Sequence, residues 1–96
     1  MAKVLLSQTA TEDLAWLIRT HTLPADTVDR VKRVLRPLAR FPRLGAQLEG
    51  RWRDHRFLLG PWRWMLIVYL YDEVADEVLV VAMQDGRTSN AVTAVR

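Results

Sequence analysis

Arg56, Arg63 and Arg87 are the side chains whose type and placement could do chemistry in this chain. Arg63 closes the stretch Gly60-Pro61-Trp62-Arg63, stands between Trp62 and Trp64, and leads into the apolar run Trp64 to Tyr71. Three guanidiniums around one cleft could hold phosphate oxygens bidentately. They could also stabilise the charge added in a pentacoordinate phosphoryl transition state. Trp62 or Trp64 offers a ring on which an unpaired base can stack. Taken singly, each arginine is better explained by structure: Arg63 by an ion pair with Asp54 or Glu77, its tryptophans by core packing. The residues around Arg63 include no obvious general acid or base.

Other chemistries have less to work with. The chain has no cysteine, which excludes disulfides and thiolate chemistry. His21 and His55 are its two histidines, and no His, Asp or Glu pair has a recognised ligand spacing. No metal and no cofactor are therefore expected, and both histidines read as polar surface residues. Gly45, Gly50, Gly60 and Gly86 are scattered through turns, so no glycine-rich phosphate loop exists. Ser7 and Ser89 lack a neighbouring base to activate them.

The elements that must position the arginines follow from periodicity. Lys3 to Leu6 reads as a strand. Thr9 with Glu12 has capping-box spacing, Asp13 suits the first turn of a helix, and Ala10, Leu14, Leu17 and Ile18 share its apolar face. His21-Thr22-Leu23-Pro24 ends that helix. A second begins near Pro24 to Asp26 and turns Val28, Val31, Leu35 and Leu38 inward, with Asp29, Arg33, Arg36 and Arg40 outward. Pro37 should loosen its last turn, because proline removes a donor and crowds the carbonyl of Arg33. Phe41-Pro42-Arg43-Leu44-Gly45 closes the helical part. Strands are then expected at His55–Leu59, Trp62–Tyr71 and Glu77–Gln84, separated by Gly60-Pro61 and a polar turn at Asp72–Asp76. The order predicts one α+β domain over residues 1–96, β-α-α-β-β-β, with a helical hairpin on one face of a mainly antiparallel four-stranded sheet.

Both faces of that sheet are apolar. Trp62, Trp64, Leu66, Val68 and Leu70 alternate with Arg63, Met65, Ile67, Tyr69 and Tyr71, and Val78, Val80 and Ala82 with Leu79, Val81 and Met83. One helical hairpin covers one face. The other should be buried by a partner chain or a second copy, since soluble monomers seldom expose so large an apolar patch. The competing expectation is that residues 90–96 fold back over it.

Charge is concentrated in the middle of the chain. Residues 30–63 hold ten cations and two acids, a net +8, which leaves −5 for the remainder of a chain whose total is +3. Such a segment favours a polyanionic partner, nucleic acid or an acidic protein segment, over a plain solvated helix face. The opening residues lack a secretory pattern, and the run Trp64 to Tyr71 is too short to span a membrane. A cytoplasmic location without membrane association is expected.

Element order, length, the Phe41-Pro42-Arg43-Leu44-Gly45 stretch and the Gly60-Pro61-Trp62-Arg63 turn together resemble the RelE/ParE superfamily of toxins from bacterial type II toxin–antitoxin operons. In that family an aromatic–arginine pair commonly opens the third strand and a basic residue follows the fourth, as Arg87 does here. The resemblance implies a microbial-ribonuclease-like fold and a growth-inhibiting toxin neutralised by an acidic antitoxin encoded beside it. RelE-type members cleave messenger RNA in the ribosomal A site, whereas ParE-type members poison DNA gyrase. The short helical hairpin is more RelE-like, and Arg56, Arg63 and Arg87 match the family's basic positions as the residues that would cleave RNA. Against cleavage, Leu58 stands where a second lysine is frequent, and no tyrosine follows Arg87. Asn90 and Thr93 are poor substitutes in acid–base work. The resemblance further implies RNA or target contact through Arg33, Arg36, Arg40, Arg53, Trp62 and Trp64, and antitoxin contact through Met65, Ile67, Tyr69, Leu79 and Val81. The partners expected are the antitoxin and the ribosome with its messenger RNA. DNA gyrase is the alternative target, and a homodimer or a non-toxic interaction module the alternative to both.

Overall fold

Ser7, not Thr9, caps the first helix. Its hydroxyl accepts a hydrogen bond from the Ala10 N–H at 3.0 Å, satisfying one of the unpaired donors of the first turn. The computed structural model describes residues 1–88 and Ala91. In it, β1 (Lys3–Leu6) leads into α1 (Gln8–Thr20), and α2 (Thr27–Leu35) continues as a 3₁₀ turn (Arg36–Ala39). Pro37 lies in that turn, so the expected loosening is seen as a change of helix type. The strands β2 (Ala46–Gln47), β3 (His55–Leu59), β4 (Met65–Asp72) and β5 (Glu77–Asp85) follow.

The sheet has five strands in the order β1-β5-β4-β3-β2. The α+β class and the antiparallel β3-β4-β5 meander are as expected. The two-residue β2, paired antiparallel with β3, adds a strand hidden in what read as polar connection. β1 pairs parallel to β5, which the two intervening helices make possible. No helix of the described residues is long and apolar enough to cross a membrane.

Ala10, Leu14 and Leu17 of α1 and Val31, Leu35 and Leu38 of the second helical segment pack on Met65, Ile67, Tyr69, Val78, Val80 and Met83. Thr27 is buried where Val28 was expected, and Val28 is 42% exposed. Thr27 tolerates this site because its hydroxyl donates to the Pro24 carbonyl at 2.6 Å.

Two corrections come from the sheet. Met65, Ile67 and Tyr69, expected as antitoxin contacts, are each fully buried in the core beneath the helices. A bulge between Val68 and Tyr69 then shifts the register, so that Val68 pairs with Ala82 but Tyr69 with Val80. Core residues of β5 consequently switch from even to odd numbers, Val78 and Val80 before the bulge and Met83 after it. The irregular backbone is tied by its neighbours: the Met83 N–H donates to Asp13, and the Ser7 N–H to the Val80 carbonyl. Asp13 is therefore a cross-link to the sheet rather than a first-turn acid.

The face away from the helices is less open than expected. Leu66 and Val68 at its centre are 4% and 1% exposed, and Gly86 lies against Leu66. Leu5, Leu59 and Leu79 remain exposed. Whether residues 90–96 cover this face lies outside the described residues, apart from Ala91, which is buried.

Candidate functional site

The β3–β4 turn is tight. The Gly60 N–H donates to the Met65 carbonyl at 2.8 Å, and the Met65 N–H to the Trp62 carbonyl at 3.0 Å. A Cβ on Gly60 would lie 2.6 Å from the Met65 sulfur, so a larger residue here would push the buried Met65 side chain aside. The strand expected from Trp62 therefore starts at Met65, and Trp62, Arg63 and Trp64 belong to the turn. The two indoles lie half-buried against the core with centroids 6.2 Å apart and planes 21° from parallel. Arg63 is exposed and pairs with no described acid, neither Asp54 nor Glu77.

Three other elements converge on this turn. The end of β5 runs beside it, Asp85 in register with Met65 and the Gly86 N–H bonded to the Trp64 carbonyl. Asp85 accepts from Arg87 Nε at 2.9 Å, Arg87 Nη2 at 2.8 Å and the Arg87 backbone N–H at 2.9 Å. That guanidinium fork, with lesser help from the backbone N–H and from His21, holds the Asp85 carboxyl well below the usual carboxylate range. The same guanidinium lies over the Trp64 ring at 5.0 Å. From α2, Arg30 lies over Trp62 at 5.8 Å while pairing with Asp26 at 3.0 Å.

The end of α1 supplies the fourth component. His21 is the C-cap of α1, and its Nε2 is 3.1 Å from Asp85 Oδ2. Its ring stacks on Trp64 with centroids 4.5 Å apart and planes within 14°. The chain then turns through Thr22, whose φ of 50° is a left-handed conformation seldom taken by a β-branched residue. The Leu23 N–H closes the turn on the Ile18 carbonyl at 3.0 Å, the Schellman arrangement in which glycine usually occupies this position.

The edge so assembled holds Arg63 and Arg87 together with Trp62 and Trp64. Arg56 does not join them. It is in register with Tyr69, four residues along β4 from Met65, which puts it about 13 Å away along the strands. Its Nη1 donates to the Gly45 carbonyl at 2.8 Å and the Arg43 carbonyl at 3.3 Å. Arg33, Arg36 and Arg40 line the exposed side of α2 and the turn after it, and Arg53 is exposed just after a short 3₁₀ turn, Gly50–Trp52. The three-arginine cleft expected from the sequence is therefore a two-arginine edge, to which Arg30, His21 and Asp85 are the additions sequence reasoning missed. Sixty-four positions separate His21 from Asp85. No spacing rule links residues so far apart, and the one local signal was a carboxylate two places before Arg87 at the end of a strand.

Chemically, this edge combines cations for phosphate, indoles covered by cations and an imidazole, and an imidazole–carboxylate pair. Among the described residues no group of three or more His, Cys, Asp or Glu side chains is placed to hold a metal ion.

The chain matches no protein-family model and no curated protein by sequence. Solved structures do resemble it. The chromosomal ParDE toxin–antitoxin system of P. aeruginosa provides a chain with a TM-score of 0.69 at 13% identity, the match covering 88% of this chain and 96% of that one. A YoeB/ParE toxin from Agrobacterium tumefaciens has a TM-score of 0.68 at 17% identity, covering 86% and 96%. The intact E. coli RelBE toxin–antitoxin complex contains a chain with a TM-score of 0.66 at 14% identity, covering 92% and 100%. The fold is that of the RelE, ParE and YoeB toxins, in agreement with the resemblance of the sequence.

Proposed function

We propose that this chain is a RelE/ParE superfamily toxin of a type II toxin–antitoxin module, inhibiting growth through its β3–β4 edge and neutralised by a co-encoded acidic antitoxin. The observation that carries the working surface is an exposed Arg63, without an acidic partner among the described residues, flanked in the chain by two stacked indoles with Arg30 and Arg87 over their rings. Aromatic rings interleaved with guanidiniums suit single-stranded nucleic acid, where bases stack and phosphates pair. Likeness of fold to toxins of toxin–antitoxin systems supports the growth-inhibiting role. Messenger RNA on the ribosome is the first target on this reading, with Arg33, Arg36, Arg40 and Arg53 as outlying backbone contacts. Leu79 and Val81 remain as antitoxin contacts, joined by Leu5, which pairs with Leu79 and is exposed with it on the side of the sheet away from the helices.

Likeness to the ParDE toxin supports a second reading, a poison of DNA gyrase without nuclease activity. Induced expression in a bacterial host separates the two. Early arrest of translation with cleaved transcripts supports the first, and early DNA damage with intact transcripts the second. Growth unaffected by either chain level or an adjacent acidic reading frame would leave a non-toxic interaction module. Arg63→Ala should abolish inhibition while the protein stays folded; persistent toxicity would remove Arg63 from the working surface.

A further inference from the structure

The RNA-directed reading lacks a proton-transfer group at the positions where the chain could have been expected to carry one. We propose that His21, oriented by Asp85, is that group. This rests on the reading of the chain as a toxin that cleaves RNA.

Three observations carry it. His21 is placed at the cluster that holds Arg63, Arg87, Trp62 and Trp64, although 42 residues precede Arg63 from there. Its ring is fixed in direction twice, by parallel stacking on Trp64 and by the bond from Nε2 to Asp85. An ionised carboxylate only accepts hydrogen bonds, so Asp85 holds the tautomer with its proton on Nε2 and leaves a lone pair on Nδ1. The fork of Arg87 keeps that carboxylate ionised. Secondly, the one described partner of Nδ1, the Thr20 hydroxyl, is shared. It is 3.0 Å from Nδ1 but 2.9 Å from the Trp16 carbonyl, and its single proton can serve one of the two. Thirdly, the backbone directly after His21 is held in the left-handed region at Thr22, a costly conformation for threonine.

The arrangement is that of a base steered by a carboxylate, and the His21 side chain is 24% exposed. With a phosphate of single-stranded RNA on Arg63, the 2′-hydroxyl oxygen attacks the adjacent phosphorus. Its proton passes to Nδ1 as the 2′-oxygen–phosphorus bond forms and the bond from phosphorus to the 5′-oxygen breaks. The imidazolium returns that proton to the departing 5′-oxygen. The products are a 2′,3′-cyclic phosphate and a 5′-hydroxyl end, with no co-reactant consumed. His21 is the catalytic residue of this step, and Asp85 a positioning residue that acts through it.

The test uses the full chain with a translating cell-free system programmed with a defined message, following cleavage, end chemistry and pH–rate profile. His21→Ala should lower cleavage about a hundredfold or more, remove the acidic limb of the profile and recover in part with added imidazole. His21→Gln keeps a donor for Asp85 but cannot exchange the proton, so it should be as inactive while melting like the parent. Asp85→Asn should displace the acidic limb rather than only lower the rate. Parent-like cleavage with an unchanged profile in folded His21 variants would overturn the assignment and leave the ribonuclease reading standing. Growth arrest by the unmodified chain with intact RNA would overturn both while leaving the toxin reading. Absence of arrest would overturn all three.

Discussion

The two ends of the sheet both gather arginine around aromatic rings, yet only one leaves a guanidinium available. At the end of β4 a cleft of about 570 Å³ is lined by Arg43, Asp54, Arg56, Tyr71, Asp72 and Glu73. Arg43 pairs with Glu73 and lies over Tyr71, and Arg56 donates to two backbone carbonyls. Its two cations face three carboxylates. At the start of β4, Arg63 stands exposed beside Trp62 and Trp64, and only Arg87 and Arg30 have carboxylate partners. The cleft is thus an internally compensated junction, whereas the edge at the start of β4 keeps Arg63 exposed without an acidic partner among the described residues. Acceptors around a guanidinium, more than the depth of the pocket, decide whether it can meet a ligand.

That contrast can be broken by substitution, in descending order of cost to stability. At the compensated end, a Cβ on Gly45 would lie 2.6 Å from the Phe57 carbonyl and 2.8 Å from the Tyr69 hydroxyl, which accepts from the Gly45 N–H. Gly45→Ala should therefore cost about 3 kcal/mol, the upper range for overpacking, in urea unfolding; a loss under half of that would mean the junction is loose. Arg56→Ala, which removes the bond to the Gly45 carbonyl and a longer, exposed one to the Arg43 carbonyl, should cost about 1 kcal/mol and reduce toxicity only as far as it reduces folded protein. Greater loss of toxicity than of folded protein would return Arg56 to the working surface.

At the open end the effects should be no larger. Thr22→Gly relieves the left-handed strain and should stabilise by about 1 kcal/mol, read as a raised melting temperature. Asp85 gives a pH signature. Its carboxyl is lowered in the fold, so its contribution is complete above the unfolded value of about 3.9 and is lost as pH falls below it. Asp85→Asn should flatten the fall in stability between pH 4 and lower values, and an unchanged acid slope would contradict the His21–Asp85–Arg87 linkage. Arg63→Ala should be smallest in stability, within about 0.5 kcal/mol as for exposed positions without partners. It should nonetheless have the largest effect on growth inhibition, which is the sharpest form of the contrast.

Much of this was legible in the chain. The helical faces built on Leu14, Leu17, Val31 and Leu35 follow from spacing, and the meander from its turn residues. Pro37 marks where α2 tightens. Other features were not, and each has a local cause. Ser7 competes with Thr9 as a cap, and the choice depends on a second bond from Ser7 back to β5. The bulge at Val68 and Tyr69 inverts the facing of β5, and alternating apolar residues look the same on either side of it. On β4 both alternating sets are apolar, so the pattern alone does not say that Met65, Ile67 and Tyr69 are the set that meets the helices.

By itself the sequence determined a small basic α+β domain with a cation between two tryptophans, because periodicity, turn chemistry and charge are local properties of the chain. Only the tertiary structure decided which arginines remain available and what stands beside them. Arg56 is satisfied by carbonyls brought from residues 43 and 45, and His21 meets Asp85 across 64 positions. Hydrogen bonds and stacking act over a few ångströms of space, and the fold, not the order of residues, sets which groups come within that reach.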